Sequence, residues 1–166
     1  MKKNYKDTVM NLSKTTALFE GAKLSGSITT GEHVGIWFNA VLRGDMAPIT
    51  IGDNTNIQDN AVVHTNTDMP TTIGNNVTIG HSAIVHAAHV EDDALIGMGS
   101  IILDGATVKK GAFVAAGTIV PPGKTVPENT LVMGNPMRIV KALSDEERAV
   151  MRKNKDGYVT LKDQYT

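Results

Sequence analysis

Aliphatic residues recur along this chain at every sixth position. One series runs Ile73, Ile79, Val85; after a five-residue step a second runs Val90, Ile96, Ile102, Val108, Val114, Val120. Earlier members are Ile28 and Val34, then Ile51, Ile57 and Val63. Gly often follows, as in "IGDNTN", "IGNNVT", "IGHSAI" and "IGMGSI", and a small residue such as Ala83, Ala94, Ser100 or Ala106 fills the fifth place. Period six is neither the 3.6 of a helix nor the alternation of a long strand. It predicts an all-β fold, a parallel β-helix of hexapeptide repeats. Each hexad supplies a short strand and a turn, and three hexads close a triangular coil of about 18 residues. The aliphatic residue points into the prism, the small residue fits the corner, and Gly or Asn serves turns at positive φ. A Gly-rich β-sandwich would not hold one phase from Ile73 to Val120, although 16 of the 166 residues are Gly.

The phase breaks twice. "HTNTDMPTT", residues 64–72, reads as a protruding polar loop, and the other break is the short step from Val85 to Val90. Beyond Val120, in "PPGKTVPENTLVMGNPMRIVKAL", the prolines predict the end of the regular coil. "LSDEERAVMRKNKDGYVTLKDQY" then predicts a C-terminal α-helix. Ser144 and Glu147 form a capping box, and Leu143, Met151, Tyr158, Leu161 and Tyr165 form an intermittent apolar stripe. Gly157 weakens this helix by roughly 1 kcal/mol relative to Ala. The helix is expected to lie antiparallel along the prism. The chain therefore reads as a single domain: an N-terminal segment 1–16, a β-helix 17–122, a connection 123–143 and a helix 144–165.

Composition narrows the function. With 16 Lys+Arg against 17 Asp+Glu and a pI near 6.5, no basic field is available for nucleic acid or an anionic bilayer. The chain has no Cys, which removes disulfides and thiolate metal sites. "MKKNYKDTVMNLSKTT" lacks the apolar stretch of a secretory signal, and no apolar run reaches membrane-spanning length. A cytoplasmic protein without nucleic-acid or membrane partners is expected.

Four of the five histidines, His64, His81, His86 and His89, fall between residues 64 and 89. His64 and His86 are 22 positions apart. Subtracting about four loop residues leaves one coil of about 18. Coils stack about 4.8 Å apart, so both imidazoles can lean onto one ion at about 2.0–2.1 Å. His81 is five residues before His86 and belongs to another face. It can reach such an ion only from a second copy, which predicts a C3 homotrimer with three shared sites. Zinc suits three neutral imidazoles, and iron or cobalt would also be accepted. His89 and His33 read as surface residues.

"WFNAVLRGD", "IGDNTNIQDNAVVH", "IGHSAIVH" and "LIGMGSIILDGA" together resemble the γ-class carbonic anhydrases and their β-helix relatives, from about Ala17 to Tyr165. "VMGNPMRIV" is shared more widely, with hexapeptide acyltransferases. The resemblance implies a left-handed coil, against the usual right-handed crossover. It implies metal ligation by His64 and His86 of one subunit and His81 of its neighbour. Arg43 and Asp45 look like an ion pair at the subunit boundary. Gln58 looks like the residue that orients the reactive water, Asp59 like a partner for Arg43, and Tyr158 like the active-site phenol. The implied activity is reversible hydration of CO2 to bicarbonate by a metal-bound hydroxide. Some family members carry acidic proton-shuttling residues after the RGD-like motif and in the following loop. Here Met46 follows Asp45 and the loop offers only Asp68, so slow turnover is expected. The alternatives are a hexapeptide acyltransferase or CoA-thioester hydrolase with a His base, and a non-catalytic metal-stabilised trimer.

Overall fold

The computed structural model describes residues 1–3 and 8–165; residues 4–7 of the N-terminal segment lie outside the described residues. Short parallel strands stack into a β-helix of about seven turns with three faces. The first face carries, among others, Gly35–Ile36, Asn56–Ile57, Thr78–Ile79, Leu95–Ile96 and Phe113–Val114. The second carries Val62–His64, Ile84–His86, Ile101–Ile102 and Ile119–Val120. The third carries Thr71–Ile73, His89–Val90, Thr107–Val108 and Thr125–Val126. Lys23–Thr30 and Val41–Ile51 run around the corner between the second and third faces.

The six-residue series is the core. Ile79, Val85, Val90, Ile96, Ile102, Val108, Val114 and Val120 are completely buried. Ala94, Ser100, Ala106, Ala112 and Thr118, each two positions earlier, are buried as well, which keeps the corners narrow. Parallel strands buried along a stack need aliphatic side chains, and β-branched ones fit the pleated surface.

The coil is longer than the sequence suggested. Val126 and Val132 continue the buried series past Pro121 and Pro122, and strands Thr125–Val126 and Thr130–Met133 extend the stack. The prolines do not stop it because they stand at a corner. They follow Ile119–Val120, the last strand of the second face, above which no further strand of that face needs a donor, and Pro122 is followed by Gly123 at φ 66°, the pairing a tight turn favours. Lys2–Lys3 and Met10–Asn11 likewise add parallel strands before residue 17. Arg138–Ala142 then turns back antiparallel along Thr130–Met133.

The terminal helix spans Asp145–Leu161, passes through Gly157 and ends in a 3-10 turn, Lys162–Gln164. Ser144 caps it, with both hydrogen bonds of the capping box present. It descends the first face against the direction of coil growth. Its first turns lie beside Leu95 and Phe113, through Val150 and Met151. Further down, Tyr158 meets the edge-on face of Trp37 at 5.3 Å, and past the helix Tyr165 meets Phe19, also at 5.3 Å. Trp37, stacked on Phe19 at 4.2 Å, is 3 % exposed.

Ile96→Ala, which empties one position of the buried column, should destabilise the fold by about 2–5 kcal/mol. Ile139→Ala, at a side chain 63 % exposed, should change stability by no more than about 0.5 kcal/mol. Denaturant midpoints of the two variants check the difference.

Candidate metal centre and active-site cleft

Strand register stacks Arg43, His64 and His86 in one column at the end of the second face. The coil from His64 to His86 has 22 residues because the excursion at residues 65–70 lies within it; the regular coil from Ile101 to Ile119 has 18. One coil earlier, Asp45–Pro48 bulges from the same corner, where the register jumps between Gly26 and Ile28. Gly44 of the Arg-Gly-Asp sequence permits this bulge, since a Cβ there would come within 2.3 Å of the Ser27 carbonyl oxygen. The excursions are tied together. The Ala47 amide donates to Thr65 Oγ1 at 3.1 Å.

Within this column His64 Nδ1 lies 3.0 Å from His86 Nε2. The outer nitrogens meet carboxylates: His64 Nε2 lies 3.2 Å from Asp45 Oδ1, and His86 Nδ1 lies 2.5 Å from Asp104 Oδ1. Arg43 pairs with Asp45 at 2.7 Å and approaches His64 Nδ1 to 3.5 Å. Burial lowers the His64 pKa and outweighs the opposing hydrogen bond to Asp45. Burial works against ionisation of Asp45, but hydrogen bonds from Arg43 and His64 prevail and hold its carboxyl below the ordinary value. Hydrogen bonds from His86 and then Asn66 hold Asp104 low as well.

These contacts fit a cation. Two neutral imidazoles carry two N–H groups, and the flanking carboxylates accept both. The remaining nitrogens then turn lone pairs toward each other across 3.0 Å. Two ligands about 2.0–2.1 Å from one tetrahedral ion stand about 3.3 Å apart. The pair is therefore nearly spaced for chelation, and each imidazole has the carboxylate partner that metal-binding histidines ordinarily show.

A second cluster occupies the corner between the first and second faces, at the other end of Ile84–His86. His81 Nδ1 lies 2.9 Å from Asp59 Oδ2, and His81 Nε2 lies 3.2 Å from the Tyr158 hydroxyl. The His81 backbone amide donates to Gln58 Oε1 at 3.1 Å. Gln58 Nε2 donates to Asn56 Oδ1 at 3.1 Å, and Asn56 donates in turn to Thr78 Oγ1 at 3.0 Å. The amide of buried Gln58 is thus fixed in direction, with one N–H left over. Burial, and then the charge of Asp59, raise the Tyr158 pKa. A cavity of about 280 Å³ opens here, lined by Gln58, His81, Leu95, Met98, Phe113 and Tyr158 among others.

The chain thus separates the expected residues into two groups, Arg43, Asp45, His64 and His86 at one corner and Gln58, Asp59, His81 and Tyr158 at another. Among the described residues no set of three His, Asp, Glu or Cys side chains converges to hold a metal. Asp59 does not pair with Arg43 within the chain. It stands directly before the corner below His81, while Arg43 finds Asp45 two residues along its own strand. His33 and His89 are exposed, and His89 hydrogen-bonds Thr72 across the third face. Asp104, Asn66 and Asn56 escaped the sequence reading. Asp104 lies 18 residues after His86, the coil period itself, and that offset was its available signal.

Comparison with known proteins decides the family. The hexapeptide repeat of succinyl-transferase matches residues 70–104 and 87–121. A carbonic anhydrase of Geobacillus kaustophilus is 43 % identical over 155 residues, 93 % of this chain and 85 % of that protein. The chain belongs to the γ-class carbonic anhydrase-like family. A probable carbonic anhydrase of Methanocaldococcus jannaschii is also 43 % identical, over 90 % of this chain and 94 % of its own length. Among solved structures, a Bacillus cereus protein described as a putative acetyltransferase superposes with a TM-score of 0.96 at 40 % identity, covering 98 % of this chain and 94 % of that one. The coil of this γ-class family member is a left-handed β-helix. The chain holds no helix long and apolar enough to cross a membrane among the described residues.

Trp37 is the chain's one Trp, and Tyr158 and Tyr165 both meet it edge-on. Replacing both tyrosines by Ala should uncover the indole and shift its fluorescence to longer wavelength. Emission spectra of the folded variant check whether the helix end seals this corner.

Proposed function

We propose that the protein is a metal-dependent carbonic anhydrase that interconverts CO2 and bicarbonate at sites shared between the subunits of a homotrimer. The division of the site residues between two corners carries this reading. His64 and His86 form a chelating pair at one corner, and His81, Gln58 and Tyr158 stand at another. Docking the second corner of one copy against the first corner of the next brings three imidazoles to one ion. Three such contacts close a ring. Relatives named carbonic anhydrase at 43 % identity support the same activity.

The ion is zinc, with iron or cobalt as chemically acceptable substitutes. The chemistry it would supply is acidification of water, whose pKa it would lower to about 7. The chain's own residues do the rest. The remaining N–H of Gln58 holds an oxygen of the water or of bicarbonate, with a direction set by Asn56 and the His81 amide. The Tyr158 hydroxyl, 3.2 Å from His81 Nε2 in the single chain, would supply a second polar contact to the substrate once His81 held the ion. Leu95, Met98 and Phe113 provide apolar wall for CO2. Arg43 and Asp45 brace the boundary beside His64. Proton export is the weak step, because Met46 is half exposed where an acid would serve, and Asp68 is the loop's one carboxylate.

A second reading rests on His81. A His flanked by Asp59 at 2.9 Å in a cleft is also the arrangement of a general base for acyl transfer or thioester hydrolysis, and the Bacillus cereus structure is described as a putative acetyltransferase. Metal content separates the readings, since an acyl-transfer base needs no ion. A metal-stabilised trimer without activity would bind zinc but not hydrate CO2.

His64→Ala and His81→Ala homotrimers should each bind zinc weakly. Unfolded together and refolded as mixed trimers, they should regain tight binding at roughly a quarter of the edges, where the intact His64 and His86 of one chain face the intact His81 of the next. Zinc content of the mixed trimers checks this, and no recovery at all would refute the shared site.

Met46→Glu should raise CO2 turnover in weak buffer and leave zinc affinity unchanged. Stopped-flow hydration across buffer concentrations checks it. Fast, buffer-independent turnover by the unmodified protein would show that proton export is not limited at this position.

A further inference from the structure

We propose that Asp104 is a positioning residue for His86, and that Asn66 in the loop excursion positions Asp104. The inference rests on the reading of His86 as a metal ligand. Asp104 Oδ1 lies 2.5 Å from His86 Nδ1. A carboxylate there accepts only, so His86 carries its proton on Nδ1 and turns the Nε2 lone pair toward His64. The other carboxylate oxygen, Oδ2, accepts from Asn66 Nδ2 at 2.8 Å. With both oxygens engaged, the Asp104 side chain cannot rotate away without breaking a second bond.

Asn66 is itself held. Its amide and carbonyl exchange hydrogen bonds with Met69 at 3.1 and 3.0 Å, and its side-chain oxygen accepts from the Thr67 amide at 2.8 Å. The excursion at 65–70 therefore folds back over the coils above it. The tip of Met69 lies over Gly105, 3.7 Å from where a Cβ would stand. Thr65 anchors the other side to the Asp45–Pro48 bulge. Far from being an inert insertion, the loop reaches two coils upward and fixes the carboxylate that selects the His86 tautomer. An imidazole released from this contact favours a proton on Nε2, which hides the lone pair that faces His64. Carboxylate partners of metal-binding histidines typically carry about 10–100-fold in metal affinity.

The test uses the full-length chain. In the metal-free protein, long-range 1H–15N correlation spectra should show His86 protonated at Nδ1. Asp104→Ala should move the proton largely to Nε2 and weaken zinc binding, read by chelator competition, about 10–100-fold. Asn66→Ala should move both readouts the same way by less. Asp92→Ala removes a corner carboxylate that accepts from the Asn75 amide and should move neither. A wild-type His86 protonated at Nε2, or zinc affinity unchanged in Asp104→Ala, would overturn the proposal. Wild-type protein that takes up no zinc, yet shows the tautomer switch, would overturn the metal reading while supporting the positioning of His86 by Asp104.

Discussion

The closure of one coil onto the next governs this structure. Each coil pairs its backbone with neighbours about 4.8 Å away on three faces, so a residue's place is set by its phase within roughly 18 positions. The inward phase admits only side chains that fill a narrow prism, which is why Ile and Val repeat there and Ala, Ser or Thr line the corners. The outward phases are free, and each forms a column in which residues of successive coils stand over one another. Arg43, His64 and His86 form such a column. A functional group placed once on this scaffold has its partners one coil above and below.

The same constraint decides where the chain can depart from regularity. Extra residues cannot enter a strand without shifting every inward side chain, so they collect at corners. Both large excursions, Asp45–Pro48 and residues 65–70, leave the corner between the second and third faces. They surround His64 and His86 with groups that a bare coil would not supply. Asp45 comes from the lower excursion and Asn66 from the upper, while Asp104 comes from the coil above. A regular prism presents flat faces; these insertions turn one edge into a cradle of fixed polarity.

The opposite design rules the other corner. There the backbone is regular, and the polar groups Asn56, Gln58 and the His81 amide lock one another through side chain to backbone bonds. The wall is completed by the terminal helix, which delivers Tyr158 to His81 from 77 residues away in sequence. The aromatic cluster of Phe19, Trp37, Phe38 and Tyr165 fixes the end of that helix by offset and edge-on contacts, a geometry favoured by the ring quadrupoles. Packing far from the cleft thus sets the position of its phenol.

The sequence by itself determined the prism. A buried aliphatic at every sixth place has one efficient solution, and the capping box at Ser144 marked the helix start because it is a local signal. It also placed His64 over His86, since the register follows from the count once the loop is subtracted. Where local signals misled, the cause was context. Pro121 and Pro122 read as breakers, yet no further strand of the second face needs their N–H, and the coil continued. Only the tertiary structure decided the partners of the imidazoles. Asp59 could be drawn toward Arg43 on paper, but the stacked corner gives it to His81. Asp104 offered only its 18-residue offset from His86, and Asn66 carries no pattern that marks it, because their meeting depends on a folded-back loop spanning two coils. The period fixes which residues share a column; the side-chain directions at an irregular corner are fixed only when the irregular segments have packed.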